Sequence, residues 1–165
     1  VIIAFLLYLV YNGVALGLFG VPKSLSMTFY LFQEKKKWTR IFFPIMMISM
    51  AFLLLPAWLE ISALSSLQFL AFLAAAGIMF VGAAPAFKSS DLENTVHMTS
   101  AIVAAIFALL WVVLVSKLWW VILVWSAITG LIMLVTKTVK SSYIYWLETI
   151  ASMSTFTSIL VYYLV

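Results

Sequence analysis

Six long apolar runs, separated by short polar segments, account for most of the chain. Each is close to the roughly 20 residues that an α-helix needs to cross the hydrocarbon core of a bilayer. The runs cover residues of about 1–20, 41–59, 65–84, 96–115, 118–136 and 143–165. We therefore predict one all-α domain over residues 1–165, a polytopic membrane protein built as a six-transmembrane-helix bundle.

The longest polar segment is VPKSLSMTFYLFQEKKKWTR, residues 21–40. Leu25, Phe29 and Phe32 recur at helical spacing before a run of lysines, which favours an interfacial helix over about 24–34 on the cytoplasmic leaflet. The alternative is that this segment only caps the second span, with Trp38 as an interface anchor.

Basic residues indicate the orientation. The first, third and fifth loops carry eight of the nine lysines and arginines, and Lys117 is the only one in an even loop. Positive loops stay cytoplasmic, so the N and C termini are predicted on the non-cytoplasmic side. Only Ser116 and Lys117 join the fourth and fifth runs, which predicts a tight antiparallel hairpin there.

Composition supports a membrane protein and excludes several other classes. The chain is 67% hydrophobic and 8% charged, so a soluble domain is excluded and the lipid bilayer is the first expected partner. The net charge of +4 lies in the loops, which argues against nucleic-acid binding. There is no cysteine, hence neither a disulfide nor a thiolate site. We expect the first run to be a true span rather than a signal peptide, and the localisation to be a bacterial inner (cytoplasmic) membrane.

Glu148 is the one acidic residue that falls inside a run, in the segment ETIASMSTFTS. Ser152 and Thr155 follow it at i+4 and i+7 and form a polar stripe on one helical face. An ionisable side chain inside a span is expensive and often functional, so we predict a ligand-binding role for all three residues. The alternative is that the hydroxyls only pack helices together while Glu148 reaches Lys140 or the interface.

The segment SSDLENTVHMTS, residues 89–100, contains the only histidine. Ser90 and Glu93 read as a capping box that begins the fourth span. His97 follows on a face with small residues that let helices approach closely: Ser100, Ala101, Ala104 and Ala108. We predict that His97 turns inward and makes a direct or water-bridged contact with Glu148 in the same leaflet, with a satisfied structural histidine as the alternative.

Asn12 is a further ligand-binding candidate, in the middle of the first span. On the same helix, Gly13 and Gly17 form a G-x-x-x-G motif, which is typical of helix packing and suggests a homo- or hetero-oligomer through that face.

Catalytic and cofactor chemistry finds little support. One histidine and no cysteine leave no zinc-ligand cluster, so we expect no metal and no cofactor. No G-x-S-x-G elbow, P-loop or dinucleotide motif occurs, so we expect no enzyme.

The segments FVGAAPAF, residues 80–87, and VHMTSA, residues 96–101, flank an acidic loop. Together they resemble the junction in six-span DRAM/Frag-like membrane proteins and their uncharacterised bacterial relatives. The resemblance covers about 40 residues; it implies six helices and an interior His97 but no reaction. The polar sixth helix has no counterpart in it.

The leading hypothesis is a small integral membrane protein that binds or handles a lipid or small amphipathic solute in a cytoplasmic-leaflet cavity. His97, Glu148, Ser152 and Thr155 would line that cavity, with Glu148 as the anion or proton acceptor. The alternative is a structural or accessory membrane subunit that docks partner helices, and an intramembrane enzyme ranks third.

Overall fold

The computed structural model describes residues 1–165, and the chain is all-α. A 3₁₀ turn covers Lys37–Ile41. The seven α-helices are α1 (Ile2–Phe19), α2 (Thr28–Lys35), α3 (Phe42–Ile61), α4 (Phe69–Ala83), α5 (Asp91–Leu114), α6 (Trp120–Thr136) and α7 (Tyr143–Leu164).

Each of the six apolar runs forms one helix, and four of these helices are long and apolar enough to cross a membrane: α1, α3, α5 and α7. The helices α4 and α6 are equally apolar but have only 15 and 17 residues. A helix rises 1.5 Å per residue, so α4 is about 22 Å long, less than the roughly 30 Å hydrocarbon core. The structure is thus a helical bundle with the length and composition of a membrane protein.

The helices alternate in direction, so the loops gather at two ends. At the first, Ser142 Oγ donates to Val21 O (3.3 Å) and Lys88 N–H donates to the Tyr30 hydroxyl (2.7 Å). We call this the basic end, because its loops carry eight of the nine basic residues.

The opposite end holds the two remaining loops and both termini. There, Trp111 Nε1–H donates to Ser62 Oγ at 2.7 Å, and the Tyr163 hydroxyl donates to Glu60 Oε2 at 2.7 Å. These contacts tie α3 to α5 and to α7.

The core lies between α1, α3, α4, α5 and α7, and its closest approach is between α4 and α5. A Cβ added at Gly77 would lie 2.6 Å from the backbone nitrogen of Ala104 and 2.8 Å from Ser100 O. Only a residue without a side chain fits there. The small-residue face predicted on α5 does bring a neighbouring helix close.

Of the two bonds of the predicted capping box at the start of α5, one is present: the Glu93 side chain does not bond the backbone N–H of Ser90. Ser90 is the N-cap, and its Oγ accepts a hydrogen bond from the backbone N–H of Glu93 at 3.2 Å. Asp91 and Glu93 occupy the first turn, where the helix dipole favours negative charge.

The helix α6 differs from its prediction. It packs on α7, where Trp125 Nε1–H donates to Thr157 Oγ1 at 2.9 Å, and it makes only minor contact with α5. The tight α5–α6 hairpin is therefore wrong. The link turns at Lys117, whose φ is 59°, and the indole–hydroxyl bond directs α6 to α7.

The helix α2 also differs, because its apolar face is turned into the protein. It begins at Thr28 rather than near residue 24, and Leu25, Phe29 and Phe32 are buried. Phe32 packs on Tyr11 of α1 at a ring-centroid distance of 5.6 Å. The face predicted to lie on the lipid is occupied by aromatic side chains of the bundle, while the lysines that follow stay exposed.

The α4–α5 contact is testable by Gly77→Ala. The added methyl would meet backbone atoms that cannot rotate away, so we expect the free energy of unfolding to fall by about 1–3 kcal/mol. Gly130→Ala in α6 is the matched control, because nothing lies within 4 Å of its added Cβ. Thermal unfolding of both variants in one detergent measures the effect, and equal midpoints would contradict it.

Candidate functional site

A cavity of about 80 Å³ lies between α3, α4, α5 and α7, and 14 of its 18 lining residues are hydrophobic. Its wall on α3 runs from Phe43 to Trp58, about 22 Å of helix at 1.5 Å per residue. The cavity is therefore long, narrow and mainly apolar.

The space exists because α5 contributes only small side chains to it. These are Ala101, Ala104, Ala105 and Ala108, which share one helical face. Gly77 sets the distance between α4 and α5, and the alanines are too short to fill the gap on the side of α3 and α7. The face that makes one tight helix contact thus leaves a void beside it.

Glu148 is the only ionisable residue in the cavity lining. It is half-buried, and its Oε2 accepts a hydrogen bond from the backbone N–H of Leu25 at 2.6 Å. It forms no ion pair, so the predicted alternative of a reach to Lys140 is not the observed arrangement. The carboxylate lies in an apolar wall without a counter-charge from the chain.

Residues 21–27 bring polar groups over the basic end of the cavity. Leu25 and Ser26 line the cavity, and the backbone N–H of Tyr145 donates to Lys23 O at 3.2 Å. The sequence did not identify these loop residues as part of the site. No local signal marks them, because this loop is more than sixty residues from α5 and more than a hundred from α7 in the sequence, and only folding brings it there.

The polar stripe on α7 faces the cavity. Ser152 and Thr155 line it together with Glu148, and Thr155 Oγ1 donates to Ala151 O at 2.9 Å. Three of the five ligand-binding candidates therefore lie around one space, as their i, i+4 and i+7 spacing predicts.

His97 lies outside the cavity lining, and its contact with Glu148 is not formed. Its Nδ1 bonds Ala84 O at 2.9 Å, and its Nε2 bonds Ser26 Oγ at 2.7 Å. The ring is buried and stacks on Phe87 at 4.7 Å. Both ring nitrogens are satisfied, so His97 serves as a connection between α5, the end of α4 and the 21–27 segment.

His97 and Glu148 are nevertheless neighbours through the loop. Glu148 accepts a hydrogen bond from the backbone N–H of Leu25, and His97 Nε2 is hydrogen-bonded to the side chain of Ser26, the next residue. The two residues lie at one end of the bundle, as predicted. They do not contact each other; each forms a hydrogen bond with one of two consecutive loop residues.

Asn12 also lies away from the cavity. Its Nδ2 donates to Tyr8 O at 2.9 Å, and its Oδ1 accepts from the Tyr145 hydroxyl at 3.1 Å. Both polar atoms of the Asn12 amide are therefore hydrogen-bonded within the protein. Asn12 connects α1 to α7 and does not line the cavity.

Trp58 lines the cavity near the opposite end and is fully buried. Its Nε1–H has no hydrogen-bond partner. A buried donor without a partner costs free energy. No pattern in the sequence singles out Trp58 as part of the site.

No group of three or more His, Cys, Asp or Glu side chains is placed to hold a metal ion. Comparisons with protein-family models, curated proteins and solved structures found no match. Function is therefore inferred from the geometry of this chain.

The His97–Ser26 bond is testable by Ser26→Ala. The change leaves His97 Nε2 buried without a partner, so we expect the free energy of unfolding to fall by about 1–3 kcal/mol. Ser89→Ala, at an exposed serine, is the control and should leave the melting temperature unchanged. If the two variants melt together, the bond contributes nothing to stability.

Proposed function

We propose that this protein binds the aliphatic part of a lipid or small amphipathic solute in the cavity between α3, α4, α5 and α7. The observation that carries the proposal is a long apolar cavity with one carboxylate at its basic end. Such a space suits a molecule with an apolar chain and one polar head, because ligand sites are mainly apolar with few polar groups that fix orientation.

We further propose six membrane spans with the basic end in the cytoplasm. The alternating helix directions and the eight basic residues at one end support this topology. The short helices α4 and α6 can span if the bilayer thins locally or neighbouring loops fill the remaining depth. The head of the ligand then lies in the cytoplasmic leaflet of what we take to be a bacterial inner membrane.

Entry from the bilayer fits the exposure of the lining. The lining residues that stay half-buried rather than buried lie mainly on α5 and α7: Ala101, Ala104, Ala105, Glu148 and Ser152. The seam between these two helices is therefore the most accessible wall. A chain could enter there without crossing the polar loops.

The topology is testable because the chain has no native cysteine. Single cysteines at Ser89 and Ser66, both exposed, report on opposite ends. In intact cells we expect a membrane-impermeant maleimide to label Ser66→Cys, and to label Ser89→Cys only after the membrane is opened. The reverse pattern would invert the orientation.

Chain binding is testable with dodecanol that carries a mid-chain diazirine, using the protein in nanodiscs of zwitterionic lipid. Light-induced labels on cavity residues such as Met50 are expected in excess of those on Phe52, which is exposed on the same helix. Ala105→Phe fills the cavity and should reduce the excess severalfold, because a ring occupies the space of the chain.

Ile106→Phe is the control for that experiment, since Ile106 is an exposed α5 residue outside the lining. It should leave the cavity labels unchanged. Labels that appear only on exposed residues would contradict chain binding.

A structural role is the second candidate, and one observation favours it. Gly13 and Gly17 are exposed, and nothing lies within 4 Å of a Cβ added at either residue. A helix of another copy or of a partner protein could approach closely there. An empty cavity in the labelling experiment would favour this role.

A further inference from the structure

We infer that the ligand carries a cationic amine as its head group and that Glu148 binds it. The inference rests on the proposed function, because it specifies which amphipathic molecules the cavity takes. Three features of the basic end lead to it: a carboxylate without an ion-pair partner, a serine hydroxyl whose proton is already used, and lysines that lie elsewhere.

The carboxylate of Glu148 receives one hydrogen bond, from Leu25 N–H, which leaves most of its acceptor capacity free. A carboxylate in an apolar wall costs free energy unless it is both hydrogen-bonded and paired with an opposite charge. The nearby lysines do not supply the charge: Lys23 and Lys140 line a separate surface depression with Tyr143 and Ile144. The missing partner is a cation or a strong donor.

His97 determines whether the Ser26 hydroxyl donates or accepts a hydrogen bond. A carbonyl oxygen only accepts, so His97 Nδ1 must carry the proton that it donates to Ala84 O. The Nε2 of the neutral ring is then an acceptor, and the Ser26 hydroxyl donates to it. The proton of Ser26 is therefore used, and its oxygen can only accept from a molecule in the cavity.

The basic end of the lining thus presents two acceptor groups, the Glu148 carboxylate and the Ser26 hydroxyl oxygen. Thr155 lies seven residues further along α7, about 10 Å toward the opposite end, and takes no part in binding the head group. An alkylammonium head carries N–H donors and a positive charge, and it matches these two groups in both respects. A phosphate or carboxylate head would be repelled by Glu148, and an alcohol would leave the charge unpaired.

His97 is in this sense a positioning residue. It does not touch the ligand, but it fixes the Ser26 proton and so makes Ser26 accept rather than donate a hydrogen bond.

The test uses three dodecyl diazirine probes in the same nanodiscs, with an amine, a hydroxyl or a carboxylate head. Labels on Met50 are divided by labels on exposed Phe52, which corrects for partitioning into the bilayer. At neutral pH we expect the amine to exceed the alcohol by about tenfold and the carboxylate to be lowest, since hydrogen bonds to charged groups are among the strongest.

Glu148→Gln should remove the preference for the amine while the alcohol still labels the cavity. Glu60→Gln is the control, because Glu60 bonds Tyr163 at the opposite end and lies outside the cavity. The wild-type ranking decides the head group even if Glu148→Gln fails to fold.

Equal cavity labelling of wild type by amine and alcohol would overturn the amine inference and leave chain binding intact. An amine preference that survives in Glu148→Gln would overturn the role of Glu148. No cavity labelling by any probe would overturn the proposed function, and the inference with it.

Discussion

The structure depends on one constraint: polar groups inside an apolar bundle need partners from the chain, because lipid supplies none. Residues 21–27 show how this is met. Glu148 accepts from Leu25 N–H, His97 bonds Ser26, and Lys23 O accepts from Tyr145 N–H. These bonds hold the loop between α5 and α7. They also close the basic end of the cavity and determine which polar groups line it.

The second determinant is the size of the side chains on α5. Gly77 lets α4 approach the α5 backbone, and the alanines of α5 then face α3 and α7 without filling the space between them. Tight packing on one side and a void on the other have the same cause. A larger residue at Ala105 would improve packing at the cost of the cavity, so its small size is consistent with a binding role.

The two helices that departed from expectation show the limits of local patterns. The apolar face that periodicity predicts on α2 is present, but periodicity does not say whether lipid or protein covers it. In the structure protein covers it, because Phe32 packs on Tyr11 of α1. The link at Ser116 and Lys117 is short, but link length does not select the neighbour. The helix α6 packs on α7 rather than on α5, and Trp125 Nε1–H donates a hydrogen bond to Thr157 Oγ1 of α7.

Local chemistry along the chain determined the helices, the Ser90 cap and the inward stripe of Glu148, Ser152 and Thr155, because length, apolar content and helical period are properties of neighbouring residues. Only the tertiary structure decided what those side chains meet. The spacing placed His97 and Glu148 at one end, but the bond each makes is with a loop more than seventy residues away. A contact between such distant segments depends on how all the helices pack, and no period in the sequence encodes it.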